Sequence, residues 1–276
     1  MNPNLHHRRL WSLDELSRRD VQALLTTAEG LKRAADSGDP HRLLRGKNLA
    51  LLCDAQTDER CEVFNRAATE LGAHVARIRQ SDSRVEGRGV VPETARVLGR
   101  LYDAIECEGM APALVEDVER DAGVPVYNGL CSDEHPTRVL ADLLTMQERS
   151  GKPLARTAVC FVGDPRSAHG DALLQAAALL GMDLRVVTPT GETPLPERLT
   201  RARRLANESG ARLSFPKSRS KGMAGVDFIC DGTATAAGQR PALMAGSVID
   251  AAASCETEQQ RNQLFMLQAL LISTIS

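Results

Sequence analysis

The sequence predicts an α/β protein built from two doubly wound parallel-sheet domains joined by a bridging helix. Three observations lead to the two-domain reading. Short apolar runs alternate with amphipathic helical patterns through the first half, one long helix with a wide apolar stripe follows, and the alternation then starts again.

The opening helix is announced by Ser17 and Asp20 as a capping box, with Val21, Leu24, Leu25, Ala28 and Leu31 at helical spacing and Gly38 and Pro40 as its stop. Next come the apolar strand "NLALLC" (48–53), a helix over about 60–71, the strand "HVARI" (74–78) and a helix over 93–101. "YDAIE" (102–106), a helix over 112–122 and "VPVYN" (124–128) complete βαβ units around a parallel sheet. "HPTRVLADLLTMQERSG" reads as the bridging helix: Pro136 suits a first helical position, Val139, Leu140, Leu143, Leu144 and Met146 form its stripe, and Gly151 stops it.

The second half repeats the rhythm with "TAVCFVGD" (157–164), a helix over 168–181, "LRVVTP" (184–189), a helix over about 194–209, "ARLSF" and "VDFICD" (226–231). "FPKSRSKG" (215–222) is expected to be an exposed loop, and a last helix spans about 257–272. The domains predicted are thus 1–150, completed by the C-terminal helix 257–276, and 151–256, with functional loops at the carboxyl ends of the strands.

Composition narrows the function. A chain of 276 residues with 42% hydrophobic content can bury a real core in two ordinary domains. Net charge is −2 with dispersed basic residues, which argues against a nucleic-acid partner. The basic N-terminus lacks the apolar stretch of a signal peptide, and no run approaches the ~18 apolar residues of a membrane span, so a cytoplasmic protein without a membrane partner is expected. Seven cysteines, an odd number without CxxC spacing, are expected to be free thiols. There is no GxGxxG, P-loop or HExxH, so neither a cofactor nor a metal is assigned.

At "PETARVLGRLYDAIE", "AGVPVYNGL", "HPTRVLADLLTMQE" and "FVGD…GMDLRVVTP" the chain resembles the aspartate/ornithine carbamoyltransferases, the ornithine branch above all, over about residues 10–239 and again in the last helix. The resemblance implies a carbamoyl-phosphate domain followed by an amino-acid domain, a trimer with sites between subunits, and no cofactor. The family's phosphate signature S-T-R-T-R falls on Thr57, Asp58, Glu59, Arg60 and Cys61, so both arginines are gone and the first is an acid. A further phosphate-binding arginine, in E-Y-R-G, falls on Glu108 of "ECEG". In H-P-T-Q the carbonyl-polarising histidine survives as His135, while the glutamine that holds the carbamoyl amino group is Arg138.

On the amino-acid side, D-x-R-N-N reads Asp164, Pro165, Arg166, Ser167 and Ala168. D-x-x-x-S-M-G reads Asp231 to Gly238 with one extra residue, and the H-C-L-P loop is missing before the last helix. The candidate substrate-binding set is therefore Thr57, Asp58, Glu59, Arg60, Cys61, Glu108, Asp164, Ser167, Ala168 and Asp231, with His135 and Arg138 as candidate catalytic residues. A unit charge pair at about 4 Å is worth ~4 kcal/mol at an effective dielectric near 20, so each Arg-to-Glu inversion moves anion binding by up to ~8 kcal/mol. Millimolar affinity amounts to only about 4 kcal/mol. Two inversions should abolish carbamoyl-phosphate binding in the family's mode, and Arg60 is rotated by about 100° from either lost arginine.

Several readings stay open at this level. Glu59, Glu108 and Arg138 can form an ion-pair cluster filling a retired pocket. An open acidic pocket would prefer an amine or guanidinium, making the chain a binder of an amino-acid-related metabolite. Alternatively His135, with Arg138 and Arg60, serves a transferase of altered specificity. Cys61, Cys107, Cys131 and His135 converge by the resemblance with Glu59 and Glu108, although buried thiols usually act as small hydrophobes. The partner expected is a second copy of the chain in a trimer or an active transcarbamylase, with a small amino-acid or amine ligand. Asp231 can equally cap its turn, and His6, His7, His41 and His169 are expected to be solvated.

Overall fold

The computed structural model describes residue 5 and residues 12–53, 61–79, 92–132, 134–189, 191–233, 241–246 and 254–275. Two compact bodies result, one built on Arg19–His135 with Leu264–Ser276, the other on Ser12–Arg18 with Pro136–Gln263.

In the first body, α1 (Arg18–Asp36) is followed by β1 (Asn48–Cys53), α2 (Glu62–Glu70), β2 (His74–Arg79), α3 (Pro92–Leu101), β3 (Ala104–Cys107), α4 (Pro112–Ala122) and β4 (Val126–Asn128). The stripe Val21, Leu24, Leu25, Ala28 and Leu31 is the buried face of α1, as its spacing predicts. The four strands are parallel in the order β2-β1-β3-β4. Central β1 and β3 are buried at every position except Asn48, which is why their sequences are unbroken apolar runs apart from one acid, Glu106.

Ala50, Leu52 and Ile105 pack with Ala95 and Leu98 of α3 and Val115 and Val118 of α4. At the crossing of α3 and α4, a Cβ on Gly99 would lie 1.8 Å from the Ala122 carbonyl oxygen, so only glycine fits. Asp103 anchors the start of β1 by accepting the Asn48 N–H at 2.9 Å and the Lys47 ammonium at 3.0 Å. The last turns of the C-terminal helix complete this body, with Thr274 bonded to the buried Tyr127 hydroxyl.

The second body holds α5 (Thr137–Ser150), β5 (Ala158–Val162), α6 (Ala168–Leu180), β6 (Asp183–Val187), α7 (Pro196–Ser209), β7 (Arg212–Ser214), α8 (Arg219–Met223), β8 (Phe228–Asp231), β9 (Ala242–Ala245) and the first turns of α9 (Glu256–Ile275). Its sheet runs β7-β6-β5-β8-β9 and is parallel but for β9 on the edge. Gly151 and Gly181 close α5 and α6 in the left-handed conformation that glycine allows. The expected bridging helix is therefore α5, which belongs to this second body, and it is buried continuously from Thr137 to Met146, a wider face than its apolar stripe suggests.

One expectation fails here. Residues 215–222 are not a loop throughout, because Ser218 caps α8 through the Lys221 N–H at 3.4 Å, and Gly222 lies where a Cβ would approach Val187 to 2.3 Å. The basic composition hides a glycine chosen for close packing. The short 3-10 turn Leu13–Glu15 was also unannounced; it is held to this body by Arg198, which pairs with both Asp14 and Asp171. No described helix is long and apolar enough to cross a membrane.

Candidate functional site

The carboxyl ends of β1, β3 and β4 carry the side chains expected to form the anion site. Thr57, Asp58, Glu59 and Arg60 lie outside the described residues. Cys61 is described: it stands immediately before α2 with no side-chain capping bond, and it is fully buried. Glu108 follows β3, its N–H bonded to the Leu52 carbonyl at 2.9 Å, and is 3% exposed. Cys131 lies beyond β4 in a turn fixed by the Ser132 N–H on the Gly129 carbonyl at 2.9 Å.

These elements bring the Cys61 and Cys131 sulfurs and a Glu108 carboxylate oxygen within 4.8 Å of one another. Cys107 and His135, which the resemblance placed beside them, are not in that set among the described residues. A second acid is present that sequence reasoning did not single out. Glu106, on β3, is wholly buried and accepts the Leu130 N–H at 2.8 Å. Its signal was available in the sequence, since an acid inside an otherwise apolar central strand must be specially accommodated.

Among the described residues the resolved shifts at this site all run upward. Burial first, then the Glu108 and Cys61 charges, push the Glu106 carboxyl well above its ordinary 4.5. The Cys131 thiol is pushed up by its hydrogen bond with Cys61, then by burial and the surrounding acids. Burial and Glu106 do the same to Cys107. All seven cysteines are free and buried, and the upward shifts at Cys107 and Cys131 make those two thiols poor nucleophiles. A pocket in which burial and the Glu108 charge keep the Glu106 proton on opposes an incoming phosphate and suits a cation or a neutral donor.

His135 is 6% exposed and closes the 129–135 segment, its N–H donating to the Ser132 carbonyl at 3.3 Å. It does not cap α5, whose N-cap is Pro136. Arg138 is buried in the first turn of that helix. Thus the surviving histidine and the substituted arginine are both interior residues.

In the second body the expected amino-acid contacts serve local structure. Ser167 is the N-cap of α6, accepting the Gly170 N–H at 3.1 Å and donating to the Asp164 carbonyl at 2.7 Å. Asp164 accepts the Arg166 N–H at 2.9 Å, while Ala168 is the exposed first residue of α6. Asp231 caps its turn through the Thr233 N–H at 2.9 Å and is ion-paired with Arg219. One expectation is overturned: His169 is not solvated but buried in the first turn of α6, because that helix is covered along nearly its whole length.

Comparison with known proteins agrees with this architecture. Residues 8–148 match the family model described as the aspartate/ornithine carbamoyltransferase carbamoyl-P binding domain, and residues 155–246 match the Asp/Orn binding domain of the same family. The chain is 40% identical over 227 residues to a catabolic ornithine carbamoyltransferase of Pseudomonas putida, covering 82% of this chain and 67% of that protein. It is 42% identical over 230 residues to the catabolic enzyme of Burkholderia mallei, covering 83% and 68%. Among solved structures, ornithine carbamoyltransferase from Pyrococcus furiosus superposes with a TM-score of 0.80 at 26% identity, over 99% of this chain and 98% of that one.

Proposed function

This chain belongs to the aspartate/ornithine carbamoyltransferase family, and from that premise we propose that it is an ornithine-carbamoyltransferase-like protein that no longer performs ordinary carbamoyl transfer. It acts instead as a non-catalytic subunit, in a trimer or with an active relative, or as a binder of an amino-acid-related metabolite.

Glu108 carries this reading. A buried carboxylate occupies the place where the family resemblance expects a phosphate-binding arginine, and it lies close enough to Glu106 to help hold a proton there. The charge inversion alone is worth up to ~8 kcal/mol against an anion before screening, more than a millimolar ligand has to offer. Cys61, in place of the second signature arginine, supplies no positive charge either.

A thermal-shift titration with carbamoyl phosphate, beside ornithine and arginine, tests the proposal together with a citrulline-formation assay. At a hundredfold excess over Kd a ligand stabilises the fold by about 2.7 kcal/mol, a visible shift. No shift and no citrulline are expected with carbamoyl phosphate, whereas stabilisation by arginine or ornithine would identify the metabolite-binding form. Citrulline formation at family-like rates would overturn the reading.

Retention of a buried His135 favours a second reading, a transferase of altered specificity in amino-acid metabolism. On that reading His135→Ala abolishes turnover of whichever substrate is found; unchanged turnover removes His135 from the chemistry.

A further inference from the structure

We propose that Asp142, His169 and Cys230 form a binding site for one borderline-soft divalent metal ion of the zinc type, within the second body. This goes beyond the carbamoyltransferase-like reading and does not depend on it. The three residues come from α5, the first turn of α6 and β8, and all are buried.

The geometry is that of a coordination shell. His169 Nε2 lies 3.3 Å from Asp142 Oδ2 and 3.5 Å from Cys230 Sγ, and the three donor atoms fall within 4.8 Å of one another. Tetrahedral zinc with bonds of about 2.05 Å to nitrogen and oxygen and about 2.3 Å to sulfur has N···O and N···S edges of about 3.4 and 3.6 Å. Both edges match those values to within about 0.1 Å, and the O···S edge, within 4.8 Å, would close on the ion by side-chain adjustment.

A catalytic relay does not explain the same contacts. In a Cys-His-Asp relay the two ring nitrogens face opposite partners. Here Nε2 faces both the carboxylate and the sulfur, and a single N–H cannot donate well to both. A lone pair on Nε2, directed at a shared ion, satisfies the arrangement. Binding releases the Cys230 thiol proton and leaves the imidazole proton on Nδ1. The resulting thiolate and carboxylate then neutralise the divalent charge, as a buried site requires.

The surroundings already orient the donors. Gln259 Nε2 donates to Asp142 Oδ1 at 2.6 Å, turning the other carboxylate oxygen toward His169, and the Phe161 ring stacks on the imidazole at 6.4 Å between centroids. Such outer contacts are what fix metal ligands elsewhere. A mixed S, N, O set selects zinc or cobalt over magnesium or calcium. Among the described residues the set stops at three, and water or a small ligand would complete a tetrahedral shell. The ion would tie α5 and α6 to the carboxyl end of β8, beside Asp231 and its turn.

The full-length chain, stripped with a chelator and dialysed, is titrated with cobalt(II) and, by competition against a chromophoric chelator, with zinc(II). One ion per chain is expected, with a thiolate-to-cobalt charge-transfer band and the intense visible bands of tetrahedral cobalt. Cys230→Ser should remove the charge-transfer band and weaken zinc by at least about 100-fold, while the double variant Cys61→Ser, Cys131→Ser should keep both. X-ray absorption on the zinc-loaded unmutated protein avoids any folding defect in the variants: one sulfur among the ligands supports the site. Two sulfurs, a band that survives Cys230→Ser, or no stoichiometric binding would overturn it.

Discussion

Replacing Glu106 by glutamine should remove a pH dependence from the stability of the first body. The carboxyl is wholly buried, and burial, Glu108 and Cys61 all raise its pKa well above 4.5. Below about pH 4.5 both the folded and the unfolded chain carry the proton, and the stability attached to this group is complete. As pH rises, the unfolded chain loses the proton while the folded one keeps it, so stability falls until the folded-state pKa is passed. The slope is about 1.4 kcal/mol for each pH unit in that window. Glutamine reproduces the neutral acid: its Oε1 can accept the Leu130 N–H as Glu106 does at 2.8 Å, and it has no proton to lose. Urea unfolding followed by far-ultraviolet circular dichroism at unit steps from pH 5 to 8 compares the two proteins, below the ordinary thiol value of 9.0. The gain of Glu106→Gln over the unmutated protein should grow by about 1.4 kcal/mol per step until it levels off. Parallel profiles would mean that Glu106 is ionised in the fold, and the picture of burial and Glu108 holding its proton would be wrong.

Gly99→Ala should be among the most damaging small substitutions, since its Cβ would lie 1.8 Å from one Ala122 backbone atom and 2.7 Å from another; a loss of about 3 kcal/mol in urea unfolding is expected, and a loss under about 1 kcal/mol would show that α3 moves freely. Arg198→Lys keeps the charge but not the fork that serves Asp14 and Asp171 together. It should destabilise by about 1–2 kcal/mol, and full retention of stability would reduce Arg198 to a point charge. Ser167→Ala should cost about 1 kcal/mol through loss of the α6 cap, without altering binding of any amino acid the protein takes up; a lost ligand with unchanged stability would return Ser167 to the substrate site.

Legibility in the sequence followed the source of each residue's energy. "NLALLC" was readable to the residue because β1 is central and buried from Leu49 to Cys53, so periodicity and burial coincide. β9 was missed: it is a four-residue antiparallel edge strand, too short to carry a pattern. Residues 215–222 misled because composition reports solvation while Gly222 reports a contact with Val187 that exists only after folding. His169 misled for a related reason. The helix predicted over 168–181 already contained it, but nothing in the sequence showed that the first turn of α6 faces inward. Convergence of Cys61 with Glu108 and Cys131 was legible only through the family resemblance, since the three stand far apart in sequence and share no ligand spacing.

The same division explains how a chain can keep a fold at 40% identity while the site proposed for it changes sign. The parallel sheets rest on strand interiors such as Leu49 to Leu52 and Val159 to Val162, and a substitution there opens a cavity costing about 2–5 kcal/mol. The residues at strand ends contribute little to that sum, so a charge inversion there is opposed mainly by its own desolvation. Glu108 meets that cost beside Glu106, whose carboxyl is pushed well above its ordinary value, and within reach of two thiols. An arginine returned to position 108 would stand beside a Glu106 held protonated and without the second signature arginine, whose place Cys61 takes, so Glu108→Arg alone should not rebuild the phosphate site. Carbamoyl-phosphate binding regained by that single change would show that the cluster is an incidental substitution rather than a reorganised interior.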